Sequence, residues 1–146
     1  MSQLPPLHSQ LTLAELPNSV SWARRHVVDV LQQWAVPAST TETARLIVSE
    51  LATNATSHTT PEPDTTWFSS RPGRPRTFAV SLTLTDRKLE ISVGDHDPTP
   101  PTLREAETEA TSGRGLSIVA MLSSNWGYRL APHGAGKAVW AILHLP

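Results

Sequence analysis

The chain has no cysteine in its 146 residues. That excludes disulfides and Cys-ligated zinc, and it fits a reducing compartment. No apolar run approaches the roughly 20 residues that a spanning helix needs. The opening Met1-Ser2-Gln3-Leu4-Pro5-Pro6 lacks the basic and apolar regions of a signal peptide, so the expected location is cytoplasmic. Neither charge dominates: 12 Lys and Arg face 13 Asp and Glu, a formal net charge of -1. Such a balance gives no argument for nucleic acid or an anionic membrane as partner. Gly-x-Ser-x-Gly, a Walker-type loop and a protein-kinase glycine loop are all missing, which leaves hydrolase and P-loop readings without support. His58, His96 and His133 lie far apart, and no His pair has metal-ligand spacing.

What the sequence does have is a stretch from Ile47 to His58 with no Pro or Gly. Ile47, Leu51 and Ala55 fall at i, i+4 and i+8, with Val48 and Ala52 beside them, and Glu50, Asn54 and His58 make a second ridge with the same spacing. Residues four apart on a helix are neighbours, so the three polar side chains point the same way. Few charges accompany them. The pattern predicts a mostly buried helix that presents a few polar groups to a cavity. A carboxylate can take a proton from an attacking hydroxyl, and a carboxamide oxygen is a hard ligand that Mg2+ accepts beside phosphate oxygens. Alone, the same spacing also fits an ordinary polar helix edge.

The remainder predicts an α+β domain. Residues 1–9 read as disordered, and Gln10 to Ala14 as a short edge strand. A helix follows Asn18 or Ser19 as N-cap, with Val20, Ala23, Val27, Val30, Leu31 and Trp34 on its apolar face, and Pro37 ends it. Ser39, Thr40 or Thr41 caps the next helix, which runs to His58. Residues 59–76, rich in Pro and Arg, form a loop insertion. Phe78 to Leu84 and Leu89 to Val93 alternate as a hairpin about Asp86-Arg87. An apolar helix follows Ser112-Gly113-Arg114-Gly115, then a strand around Trp126-Gly127. Ala138 to Leu145, apolar on both faces, reads as a strand inside a covered sheet. The order β-α-α-β-β-(lid)-α-β-β predicts a two-layer sandwich: a mixed, mainly antiparallel sheet with helices on one face.

Two further places carry chemistry. Gly113-x-Gly115 directly before a helix suits an anion, because unpaired N–H groups face outward there and glycines allow close approach. Arg114 adds charge. The bland alternative is a flexible helix entry. Asp95 closes the strand of Leu89, Ile91 and Val93. A carboxylate there can accept from an exocyclic amine such as adenine N6. The alternative is an Asp that merely forms a turn.

These signals occur in a set order: Ser49-Glu50-Leu51-x-x-Asn54-Ala55-x-x-His58, then Val93-x-Asp95, then Gly113-Arg114-Gly115-Leu116-x-Ile118-Val119, then Trp126-Gly127 and Gly136-Lys137-x-Val139-Trp140. The series resembles the GHKL (Bergerat-fold) ATP-binding superfamily over residues 10 to 145. Its nearest branch looks like the small bacterial anti-sigma-factor serine kinases and their actinobacterial histidine-kinase-like relatives. The resemblance implies one domain over 10–146 that binds ATP and Mg2+, with residues 98–111 as its lid. It implies Glu50 as catalytic general base and Asn54 as the metal ligand. It implies Asp95 as the reader of adenine, and Gly113, Arg114, Gly115 and His58 as further ATP-site residues. One departure is plain: His96-Asp97-Pro98-Thr99-Pro100 follows Asp95, where the family's box has glycines.

Two functions follow from the resemblance. One is a serine kinase that passes the γ-phosphoryl group of Mg-ATP to a small antagonist protein and sequesters a sigma factor, and so regulates transcription. The other is a catalytically silent ATP-binding module that acts by partner binding alone. Relatives of this kind often dimerise, so a homodimer is among the expectations.

Overall fold

Alternation of apolar and small polar residues builds a five-stranded sheet. In β2 (Thr77–Thr85) and β3 (Lys88–Asp95), Phe78, Val80, Leu82, Leu89, Ile91 and Val93 are buried. Ala79, Ser81, Thr83, Glu90 and Ser92, on the other face, are only half-buried. Asp86 turns the hairpin with φ 57°, a left-handed conformation that Asp tolerates better than most residues. The structure is a computed structural model that describes residues 5–57, 76–97, 111–132 and 135–146.

β1 (Leu7–Ala14) lines the outer edge of β2, from Leu7 opposite Leu84 to Ala14 opposite Thr77. It starts at Leu7 and not at Gln10, because the β2 backbone supplies hydrogen-bond partners that local composition does not reveal. β5 (Lys137–His144) lies beyond β3, and β4 (Asn125–Leu130) completes the order β1-β2-β3-β5-β4. All four pairings are antiparallel, so the α+β expectation holds in an antiparallel form.

Three helices among the described residues cover the apolar face: α1 (Ser19–Gln33), α2 (Ala38–Ser57) and α3 (Thr111–Leu122). α1 buries Ala23, Val27 and Leu31 along one ridge. It ends before Pro37 is reached. Ala35 adopts φ 59°, the Val36 N–H donates to the Leu31 carbonyl at 2.9 Å and the Ala35 N–H to the Gln32 carbonyl at 3.0 Å. This is a Schellman closure with alanine where glycine is preferred. A left-handed alanine costs about 1 kcal/mol, so Ala35→Gly should raise the urea midpoint with an unchanged slope; a lower midpoint would contradict this account of the helix end. α2 starts at Ala38, directly after Pro37, whose carbonyl accepts the Thr41 N–H at 2.9 Å. Thr40 and Thr41, expected as caps, lie instead buried in the first turn.

α2 is the central element, packed on α1, α3, β2, β3 and β5. Its Ile47, Val48, Leu51, Ala52 and Ala55 are buried, and so are Leu116 and Val119 of α3. β5 departs from the expected two-sided burial. Lys137, Val139, Ala141 and Leu143 are buried, whereas Ala138, Trp140 and Ile142 are half-buried on the face without helices. There Trp140 lies against Gly127, where any Cβ would come within 2.7 Å of its ring. Arg129 stands over the same ring, 5.7 Å from its centroid, and pairs with Glu90 at 3.2 Å. That arrangement explains a glycine after Trp126. No helix among the described residues is long and apolar enough to cross a membrane.

Candidate functional site

Glu50 and Asn54, two of the three residues of the expected polar ridge, lie on α2 at the predicted spacing. Glu50 and Asn54 sit one turn apart on a helix whose neighbouring positions are in the core, and both are half-buried. Burial pushes the Glu50 carboxyl above the ordinary glutamate value, and the Arg24 charge pulls it partly back. Arg24 comes from α1, where its Nη1 donates to the Ser49 hydroxyl at 3.0 Å. The cation is thus held next to the carboxylate by the packing of α1 on α2. Partial desolvation makes a carboxylate a better proton acceptor, which is what a general base needs. His58, at the end of the same ridge, lies outside the described residues.

Asp95 ends β3 directly opposite Lys137 of β5. Lys137 Nζ donates to Asp95 Oδ1 and Oδ2, each at 3.1 Å, and to the Asp97 carbonyl at 3.0 Å. The Asp97 N–H donates to Asp95 Oδ1 at 2.9 Å. The side chains of Lys137 and Asp95 are only 4% and 5% exposed. Asp95 therefore does the turn-forming work of the bland reading and, in addition, carries a buried ion pair. Gly136 makes the fit. Its φ is 146°, and a Cβ there would collide with the Asp95 carbonyl oxygen and approach the His96 Cα to 2.9 Å. Only glycine lets β5 enter so close to the 95–97 turn.

Gly113 and Gly115 were expected in a turn ahead of a helix. They lie inside the first turns of α3, which begins at Thr111. Gly113 is among the leading residues whose N–H groups have no acceptor within a helix, so its backbone keeps the anion-facing character. The Arg114 side chain, the 58–75 part of the loop insertion and the 98–110 part of the expected lid lie outside the described structure.

Of the residues expected at a metal, Asn54 alone is described, and its carboxamide is chemically suited to Mg2+ only if phosphate oxygens and waters complete the shell. Among the described residues no group of three or more His, Cys, Asp and Glu is arranged to hold a metal. A single carboxamide oxygen such as that of Asn54, completed by phosphates and waters, is a usual protein contribution to Mg2+. The sequence reading missed Arg24 and Lys137. Arg24 has no sequence signal, since its role depends on how two helices pack. Lys137 had one: it is the lone charge opening a strand otherwise made of apolar residues, next to a glycine.

Residues 13–143 match the profile of the histidine kinase-like ATPase domain. No curated protein matches the chain. Among solved structures, the chain is similar to the RsbU and RsbW domains of Rv1364c from Mycobacterium tuberculosis, at a TM-score of 0.60 and 19% identity. The likeness covers 97% of this chain and 33% of that one, so this chain spans about a third of the length of its structural relative. At that identity the match speaks for the fold, and it agrees with the antiparallel sheet and its one helical layer. The profile match covers most of the chain, and the chain belongs to the histidine kinase-like ATPase domain family, an assignment that implies ATP as its ligand.

Proposed function

We propose that this protein is a serine protein kinase of the anti-sigma-factor type. The observation that carries the reading is Glu50: a half-buried carboxylate of raised proton affinity, one helical turn from Asn54, whose side chain is a carboxamide. Glu50 takes the proton from a serine hydroxyl of a small antagonist protein. The serine oxygen then forms its bond to the γ-phosphorus of ATP, the bond from that phosphorus to the β–γ bridging oxygen breaks, and ADP leaves. Asn54 would hold Mg2+, which supplies charge neutralisation on the phosphates. The backbone around Gly113 and Gly115 receives phosphate oxygens, and Asp95 accepts from the adenine amine. Positioning and electrostatics supply most of the rate enhancement in such a transfer. The structural relative contains RsbU and RsbW domains, which supports a partner of the regulatory kind, a sigma factor or its antagonist, met in the cytoplasm.

The test is incubation of the protein and γ-labelled ATP with soluble extract of its own organism. The expected result is one small protein labelled on serine with intact Glu50 and unlabelled with Glu50→Gln. A partner held tightly in the presence of ATP but never labelled would contradict the kinase reading and leave a module that acts by binding alone.

A further inference from the structure

We propose that Arg24 is a positioning residue of the transfer step, a cation anchored on Ser49 that stands beside Glu50 without covering it. This role rests on the reading of Glu50 as the general base. Ala23 and Val27 of α1 are fully buried, so the backbone that carries Arg24 is fixed by the core. The Arg24 side chain reaches α2, where Nη1 donates to the Ser49 hydroxyl at 3.0 Å. Ser49 is itself tied into α2, since its carbonyl accepts the Thr53 hydroxyl at 2.7 Å. Ser49 directly precedes Glu50, and successive Cα atoms lie about 3.8 Å apart. The anchor therefore sets the guanidinium one residue from the base.

A base must be ionised before it takes a proton, and burial opposes ionisation. A nearby cation restores it. A guanidinium forked onto the carboxylate would do the same, but it would engage both oxygens and compete with the serine proton. The ion pairs among the described residues are Arg45–Glu42, Arg129–Glu90 and Lys137–Asp95, and Arg24 with Glu50 is not one of them. Held on Ser49, Arg24 supplies its field and leaves the carboxylate to the proton. The field has the required sign, since it draws the Glu50 carboxyl back against the effect of burial. Other charges on the elements around α2 face elsewhere. Arg25 and Asp29 of α1 are exposed, and His26 Nε2 lies 3.0 Å from the Ser9 hydroxyl of β1. β2 has no titratable residue. On β3 and β5, Asp95 and Lys137 hold each other, whereas Lys88, Glu90 and His144 alternate onto the face without helices. Glu42 and Arg45 of α2 itself pair at 3.2 Å. The Arg114 side chain of α3 lies outside the described residues.

The experiment follows the Glu50 carboxyl directly, by carbon-13 NMR of the full chain labelled at glutamate Cδ, without nucleotide or Mg2+. The resonance that Glu50→Gln removes is that of Glu50. Its titration midpoint should rise in Arg24→Met and Arg24→Gln and return in Arg24→Lys, which keeps the charge. Ser49→Ala leaves the cation but frees it, and should move the midpoint too. Labelling of the serine partner from γ-labelled ATP is then measured against pH. The neutral variants should lose about threefold or more at the acid end and match the wild type at the alkaline end, because a base works only in its ionised form. Each variant is checked for native circular dichroism; should Arg24→Met fail to fold, Arg24→Gln, a shorter neutral donor, must show the same rise. If the midpoint is unchanged in a folded neutral variant, Arg24 serves only the fold or a partner, and the inference is overturned. If the midpoint moves as expected but labelling never occurs, or survives Glu50→Gln, the reading of Glu50 itself fails, and the inference fails with it.

Discussion

Glu50→Gln should leave Mg-ATP binding within about twofold and lower phosphoryl transfer by about 100- to 10,000-fold, the usual contribution of a positioned general base. The amide keeps the shape and a hydrogen-bonding oxygen but cannot take the serine proton. Titration calorimetry and a label-transfer assay on the same preparation separate the two effects. The environment of Glu50 also sets a pH dependence. Burial raises its folded-state value, and Arg24 offsets only part of that. The folded protein thus binds the Glu50 proton more tightly than the unfolded chain. Stability falls as pH rises from the unfolded glutamate value, about 4.3, through the raised folded value. Glu50→Gln removes this cost, so the variant should melt slightly above wild type at neutral pH, with the difference closing below about pH 4. In the wild type, transfer should decline as acid protonates the same carboxylate. A variant that transfers phosphate as fast as wild type would remove Glu50 from the chemistry.

Asp95→Ala should be the most destabilising single change at the site, by about 3–5 kcal/mol, the range for removing one partner of a buried ion pair. The reason is what remains: an ammonium 4% exposed, with the Asp97 carbonyl as its one remaining acceptor among the described residues. The Asp97 N–H loses its acceptor too. A drop of about 10 °C or more in melting temperature follows for a chain of this size. The double variant Asp95→Ala with Lys137→Met should recover a large part of the loss, because no buried charge is then left over. Equal melting of the single and double variants would mean the ammonium finds water instead. This result governs how base recognition is tested. Loss of ATP binding in an Asp95 variant speaks for adenine reading only when the variant is shown to be folded at the assay temperature.

The elements were legible because their cause is local. Alternation in Phe78 to Leu84 and in Leu89 to Val93, and the four-residue spacing of Ile47, Leu51 and Ala55, each bury one face, and a reader of the chain can count them. Strand and helix starts were less legible. β1 extends back to Leu7 because β2 offers it a ladder, and α2 starts at Ala38 because the Pro37 carbonyl is already positioned to accept from Thr41. Both depend on partners elsewhere in the fold. The site divides in the same way. Glu50 and Asn54 are one turn apart on one element, so spacing alone brings them together. Arg24 beside Ser49, and Lys137 opposite Asp95, meet across elements separated by 25 and 42 positions. Nothing in the local pattern of either residue says which carboxylate or hydroxyl it will face. Of the two readings of Asp95, the turn-forming one is what its hydrogen bonds carry: Oδ1 accepts from the Asp97 N–H, and both oxygens accept from Lys137.

The most direct test of the account is a titration of the wild-type chain with Mg-ATP, run beside Mg-GTP. The account predicts saturable ATP binding below millimolar concentration and GTP at least tenfold weaker. Absence of binding up to millimolar ATP would contradict it, and would leave a histidine kinase-like fold that works through protein contacts without a nucleotide.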